Sequence, residues 1–80
     1  DRAGAQRNLA RLQQIFGEAA SYQYGEIYAQ LGDKDRAFAA LERAWTVKDP
    51  GLIRLRVDPA LDPLRSDSRY KIIEEKLNFP

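Results

Sequence analysis

Between Ser21 and Val47 the apolar positions follow a helical period that is broken only once. Tyr24, Ile27, Tyr28 and Leu31 recur at intervals of three and four, and beyond Leu31-Gly32-Asp33 so do Ala37, Phe38, Leu41, Ala44 and Trp45. That spacing puts one apolar stripe on each of two helices. It predicts a helix from about Ala19 to Leu31, a tight turn, and a helix from about Lys34 to Val47. Gly32 suits the stop of the first helix and Asp33 the N-cap of the second. Small residues fall where two helices must touch: Gly25, Ala37 and Ala44. A mid-helix Gly costs roughly 1 kcal/mol against Ala, a penalty that is tolerated where another backbone has to come close.

The flanks continue the helical pattern more weakly. In residues 1–17 the stripe is Ala5, Leu9, Leu12 and Phe16, with Ile15 beside it; Asp1 suits an N-cap and Gly17 a helix stop. Trp45 and Val47 lie near the end of their helix and are expected to face the C-terminal third of the chain. Asp49-Pro50-Gly51 then breaks the pattern. The segment GLIRLRV fits a short helix or a strand. Because helices flank it and no second strand is present to pair with it, a short helix at about 50–57 is expected. Asp58-Pro59 and Asp62-Pro63 are helix-start signals, with Ala60 to Leu64 giving one or two turns. Ser66-Asp67 then caps a last helix at about 68–78. Its stripe is Tyr70, Ile73 and Leu77, with Ile72 beside it, and this stripe is expected to dock on the third helix near Trp45. Asn78 suits the end of this helix, with Phe79 folding back on it. The chain therefore reads as all-α.

The central pattern resembles the tetratricopeptide repeat, a helix-turn-helix unit of about 34 residues. Ser21, Tyr24, Gly25 and Tyr28 match its first helix, Gly32-Asp33 its turn, and Ala37, Leu41, Ala44 and Pro50 its second helix and exit. Ser21 stands where Trp is common, Leu41 replaces an aromatic, and Pro50 comes one residue late. The resemblance implies that 19–49 is one complete repeat, with Tyr24, Gly25, Tyr28, Gly32, Ala37, Leu41, Ala44 and Trp45 as its packing positions. It implies that 1–17 is the second helix of a preceding, truncated repeat: Ala5, Leu9 and Leu12 repeat the logic of Ala37, Leu41 and Ala44. Residues 50–80 then form a capping tail. The stretch VDPALDPLRSDSRY is similar to a segment that comes after such repeats in bacterial multidomain regulators. With no Met in the chain, a piece of a longer protein is expected.

Composition narrows the chemistry. Thirteen basic and twelve acidic side chains nearly cancel, which argues against a dedicated nucleic-acid surface. With no Cys and no His, there is no disulfide, no thiolate metal site, and none of the side chain best suited to proton transfer near neutral pH. No apolar run approaches the ~20 residues of a membrane span. Asp58, Asp62 and Asp67 are spaced by four and five with prolines between. That is not a calcium loop, and helix capping accounts for each. Arg54, Arg56, Arg65, Arg69 and Lys71 make the tail locally basic, but Asp58, Asp62, Asp67, Glu74 and Glu75 interleave with them, as on a solvated face.

Tyr22 and Glu26 lie one turn apart on a second face of the first repeat helix, with Ala29 and Gln30 one turn further on. By resemblance this face lines a concave groove, so Tyr22, Glu26, Ala29 and Gln30 are the candidate peptide-binding residues, with Tyr22 as an aromatic anchor. An ordinary solvated helix face is the alternative. One subset of the family grips a C-terminal carboxylate with Lys and Asn, which Tyr22 and Glu26 do not match. Expected is a non-catalytic protein-interaction module with no cofactor and no metal, taking a protein or peptide partner or pairing weakly with itself through the first helix. A structural end-cap and a nucleic-acid contact through the tail arginines are the rival readings.

Overall fold

The computed structural model describes residues 2–77. Asp1 as a cap, Asn78 as a helix stop and Phe79 as a fold-back lie outside the described residues. Four α-helices carry the fold: α1 (Arg2–Phe16), α2 (Ser21–Leu31), α3 (Lys34–Val47) and α4 (Ser68–Leu77). Short 3-10 segments span Gly17–Ala20, Pro50–Arg54 and Pro59–Leu64. Among the described residues there is no strand, so the chain is all-α.

The α2–α3 pair forms as its pattern predicts. Gly32 closes α2 in the left-handed region at φ 81°, which Gly adopts at little cost. Asp33 then caps α3 by accepting the N–H of Arg36 at 3.1 Å. Ala37, Leu41 and Ala44 have no exposed surface. A Cβ added at Gly25 would lie 2.8 Å from Leu41 Cδ2, so the glycine is what lets the helices approach. Ser21 is buried and its hydroxyl donates to the Glu18 carbonyl at 2.6 Å. α3 ends at Lys48, which takes a left-handed conformation at φ 59° without being glycine.

The core joins α2 and α3 to the tail. Tyr22, Ala29, Phe38, Leu41, Leu52, Leu55, Leu61, Leu64, Tyr70 and Ile73 form one buried cluster, with Tyr28 and Leu77 packed at its edge. The expected helix at 50–57 is shorter and tighter than an α-helix, and Pro59–Leu64 is one 3-10 run with Pro63 inside it. Such turns repeat every three residues. The buried positions of the tail obey that period throughout: Leu52, Leu55, Asp58, Leu61 and Leu64. Each leucine so buried stabilises by roughly 1.5–3 kcal/mol.

α4 lies along α3. Arg69 pairs with Asp35 and Lys76 with Glu42, so both helices run the same way. Tyr70 and Ile73 are buried and Leu77 partly so, which places the predicted stripe on α3. Trp45 departs from its expected packing role. It is 42% exposed and stands at the rim of a shallow recess with Leu52, Ile53 and Leu77.

α1 is the least embedded helix. Leu9 is buried and Ala5 and Leu12 are half-buried, but Phe16 is 52% and Ile15 67% exposed. Phe16 thus leaves the stripe predicted for it, because Gly17 turns the chain away at φ 55°. The Tyr24 hydroxyl fastens the end of α1 to α2, sharing its proton between the carbonyls of Leu12 and Gly17.

The candidate binding face of the second helix

Tyr22, Glu26, Ala29 and Gln30 do share one face of α2, and the chain's own tail covers part of it: Tyr22 and Ala29 are enclosed, Glu26 is half-buried and Gln30 stays exposed. Tyr22 has no exposed surface and Ala29 is buried. The expectation of a solvent-facing Tyr22 anchor is corrected: the ring is enclosed. Gly51 passes so close that a Cβ there would sit 2.8 Å from the ring's Cδ2. Arg54 lies over the ring, 5.4 Å from its centroid.

The tail is held to this face by polar contacts. The Tyr22 hydroxyl donates to Asp58 Oδ2 at 2.7 Å, and the Tyr22 N–H donates to Asp49 Oδ2 at 3.0 Å. Gln30 Nε2 donates to the Ala60 carbonyl at 2.8 Å. Asp58 also caps its own turn, with Oδ1 accepting the Ala60 N–H at 2.9 Å, and Asp49 caps the preceding turn through Gly51. Among the described residues no buried side-chain polar atom lacks a partner.

The electrostatics result from this closure. Burial, then the bond to Asp58, push the Tyr22 phenol far above its ordinary value, so it stays a donor. Burial and the neighbouring Asp58 push Glu26 up from 4.5 to about 7. Burial alone would raise Asp58 too, but hydrogen bonds from Glu26, Tyr22 and the Ala60 N–H, with Arg54 nearby, outweigh it and hold Asp58 below its ordinary value.

Several of the remaining charged residues of the tail pair with one another or with α2 and α3. Asp67 accepts the N–H of Arg69 and caps α4, and Arg69 lies over the Phe38 ring. Asp62 differs from the capping role expected of it: it pairs with Arg65 at 2.8 Å. Arg65 in turn donates to the Asp58 carbonyl and the Tyr70 hydroxyl, joining the start of the Pro59–Leu64 segment to α4. Arg56 pairs with Glu74 and Arg54 with Glu26. Lys71 is exposed. Among the described residues no three His, Cys, Asp or Glu side chains converge to hold a metal ion, and no helix is long and apolar enough to cross a membrane.

The roles of Asp58 and Arg65 were not visible in the helical periods. The signal that finds Asp58 is the three-residue period of the tail, in which it occupies the central buried position. On the other side of α2 a recess of about 380 Å³ opens between the end of α1 and α3, with Tyr24, Tyr28, Ala39 and Ala40 in its walls. Compared with known protein families, curated proteins and solved structures, the chain matches none.

Proposed function

We propose that the chain is a non-catalytic protein-interaction module of tetratricopeptide type whose tail seals its last helix pair. The observation that carries this reading is a register. Both ion pairs between α3 and α4, Asp35–Arg69 and Glu42–Lys76, join residues 34 apart, which is the period of that repeat. Asp33 and Asp67, also 34 apart, each accept a backbone N–H at the start of their helix. In this reading the tail's 3-10 turns, which pack on α2, stand for the first helix of a further unit, and α4, which packs on α3, for its second. Stacks of this kind bury a continuous core and leave their flanks for partners.

Because the tail encloses Tyr22 and Ala29 on the expected binding face, this reading assigns a protein partner to the recess between α1 and α3, with Tyr24 and Tyr28 in its walls. Peptides selected from a displayed random library should bind the intact chain saturably, and binding should weaken at least about tenfold, or roughly 1.4 kcal/mol, in Ala39→Glu. Ala39 is exposed, so this variant keeps the core. Peptides indifferent to Ala39→Glu would contradict the assigned surface.

The filled face favours a second reading, a structural end-cap or self-association module. A library that yields no saturable peptide would support it. The exposed Ile15 and Phe16 make weak pairing through α1 its self-association form, which sedimentation of the intact chain and of Ile15→Glu distinguishes from a monomeric cap.

A further inference from the structure

The end of α3 sets a strained cation beside an apolar recess. Trp45, Pro50, Leu52, Ile53 and Leu77 wall a recess of about 680 Å³ between α3, the Pro50–Arg54 segment and α4. Trp45 and Ile53 are 42% and 78% exposed, so apolar walls stand open to water. The volume falls within the ~300–1,000 Å³ range of clefts that hold ligands. Trp is enriched among the residues that dominate binding energy. Lys48 stands on the rim. Its backbone lies in the left-handed region at φ 59°, which strains an L-residue and leaves glycine unstrained. The turn is closed by main-chain bonds that glycine would also make: the Lys48 N–H donates to the Trp45 carbonyl at 3.2 Å and the Asp49 N–H to the Ala44 carbonyl at 2.9 Å. Among the described residues the Lys48 ammonium has no hydrogen bond or ion pair. Asp49 beside it is occupied, with Oδ2 accepting the Tyr22 N–H and Oδ1 the Gly51 N–H. No polar contact within the chain offsets the strain, and strain of that kind clusters at ligand clamps.

We propose that this recess is an interaction site separate from the one between α1 and α3, taking a short segment of a partner protein in which large apolar side chains lie next to a carboxylate. The apolar groups enter against Trp45, Leu52 and Ile53, and the carboxylate pairs with Lys48. Charge selects an acidic segment, because the rim offers an unpaired cation while both oxygens of Asp49 are taken. Size selects a segment over a second copy: this recess is a small part of the ~800 Å² per partner that a stable dimer buries.

The test follows the emission of Trp45, the one Trp of the sequence, in the intact chain. The probe is a short acetylated and amidated peptide of glycine and serine with Leu-Leu-Glu at its centre, and its counterpart carries Leu-Leu-Gln. The Glu peptide should bind saturably and move the emission to shorter wavelength as Trp45 loses water. The Gln peptide should bind at least about threefold more weakly. Lys48→Gly relieves the strain and keeps the fold, and it should bind both peptides alike. Ile53→Asp changes an exposed side chain and should weaken the Glu peptide at least about tenfold. Ala39→Glu, in the other recess, should leave its affinity unchanged. The absence of a saturable shift overturns the proposal, as does a preference for Glu that survives in Lys48→Gly, or binding lost in Ala39→Glu. Emission that shifts with the chain's own concentration gives the recess to a second copy and overturns it as well. So does emission altered by Phe79→Ala without peptide, which gives the recess to the chain's own C-terminus.

Discussion

Gly25 offers a test of how closely α2 and α3 approach. A Cβ built there would lie 2.8 Å from Leu41 Cδ2, 3.0 Å from Leu41 Cγ and 3.5 Å from the Ala37 carbonyl oxygen. Gly25→Ala therefore has two opposed effects. Ala is the better helix former by about 0.8–1 kcal/mol. Leu41, which has no exposed surface, has little room to retreat, and overpacking a filled core costs about 1–3 kcal/mol. The clash wins, with a net loss of about 1 kcal/mol, or roughly 4–8 °C in Tm for a domain of this size. Leu41→Ala alone should cost about 2–5 kcal/mol. In that background the clashing atoms are gone, and Gly25→Ala gains its helix propensity while filling part of the void. Its effect should change sign, to a stabilisation of about 1 kcal/mol. Melts of the four proteins monitored by circular dichroism complete the cycle. A fixed concentration of an excluded osmolyte keeps the weakest variant folded. If Gly25→Ala stabilises both backgrounds, the helices do not touch at Gly25 and the close-contact account is refuted.

Three further outcomes rest on particular contacts. Tyr22→Phe removes the donor to the buried Asp58 Oδ2 and should cost about 1–3 kcal/mol; an unchanged urea midpoint would show that this bond is not formed. Lys48→Gly relieves a left-handed conformation that costs an L-residue about 1–2 kcal/mol. It should raise stability by about 0.5–1 kcal/mol, and a loss on substitution would mean the Lys48 side chain has a stabilising contact that outweighs the strain. Ala44→Leu should overpack the α3 contact and lower stability by about 1–3 kcal/mol, an outcome that an unaltered Tm would contradict.

The helix pair could be read from the chain because its signals are local. Gly32 supplies the turn, Asp33 the cap, and Gly25, Ala37, Leu41 and Ala44 a stripe of small and large residues whose period is that of one helix. The candidate face was legible in part: Tyr22, Glu26, Ala29 and Gln30 do share one side of α2, but their local sequence carries no mark of what covers them. That information sits in the tail, far along the chain, in a segment whose buried positions recur every three residues. Neither a helical nor a strand period fits that recurrence, so Leu52, Leu55, Leu61 and Leu64 gave no stripe. Asp58 looked like a cap, which it is, while its second oxygen closes the seam. Trp45 and Phe16 are more exposed than their stripes imply, because a helical stripe states which residues share a side and not what packs against that side.

The central claim is that the tail, by folding over Tyr22, takes the Tyr22 end of the α2 face out of the surface. The most direct measurement is the nuclear Overhauser contact between the Tyr22 ring protons and the Gly51 α-protons in solution under mildly acidic conditions. Gly51 approaches that ring so closely that even a methyl group would not fit. The account predicts a strong contact and Gly51 α-protons shifted away from their random-coil position by the ring current. Gly51 at its random-coil shifts with no contact to Tyr22 would contradict it, leaving the face open to a partner.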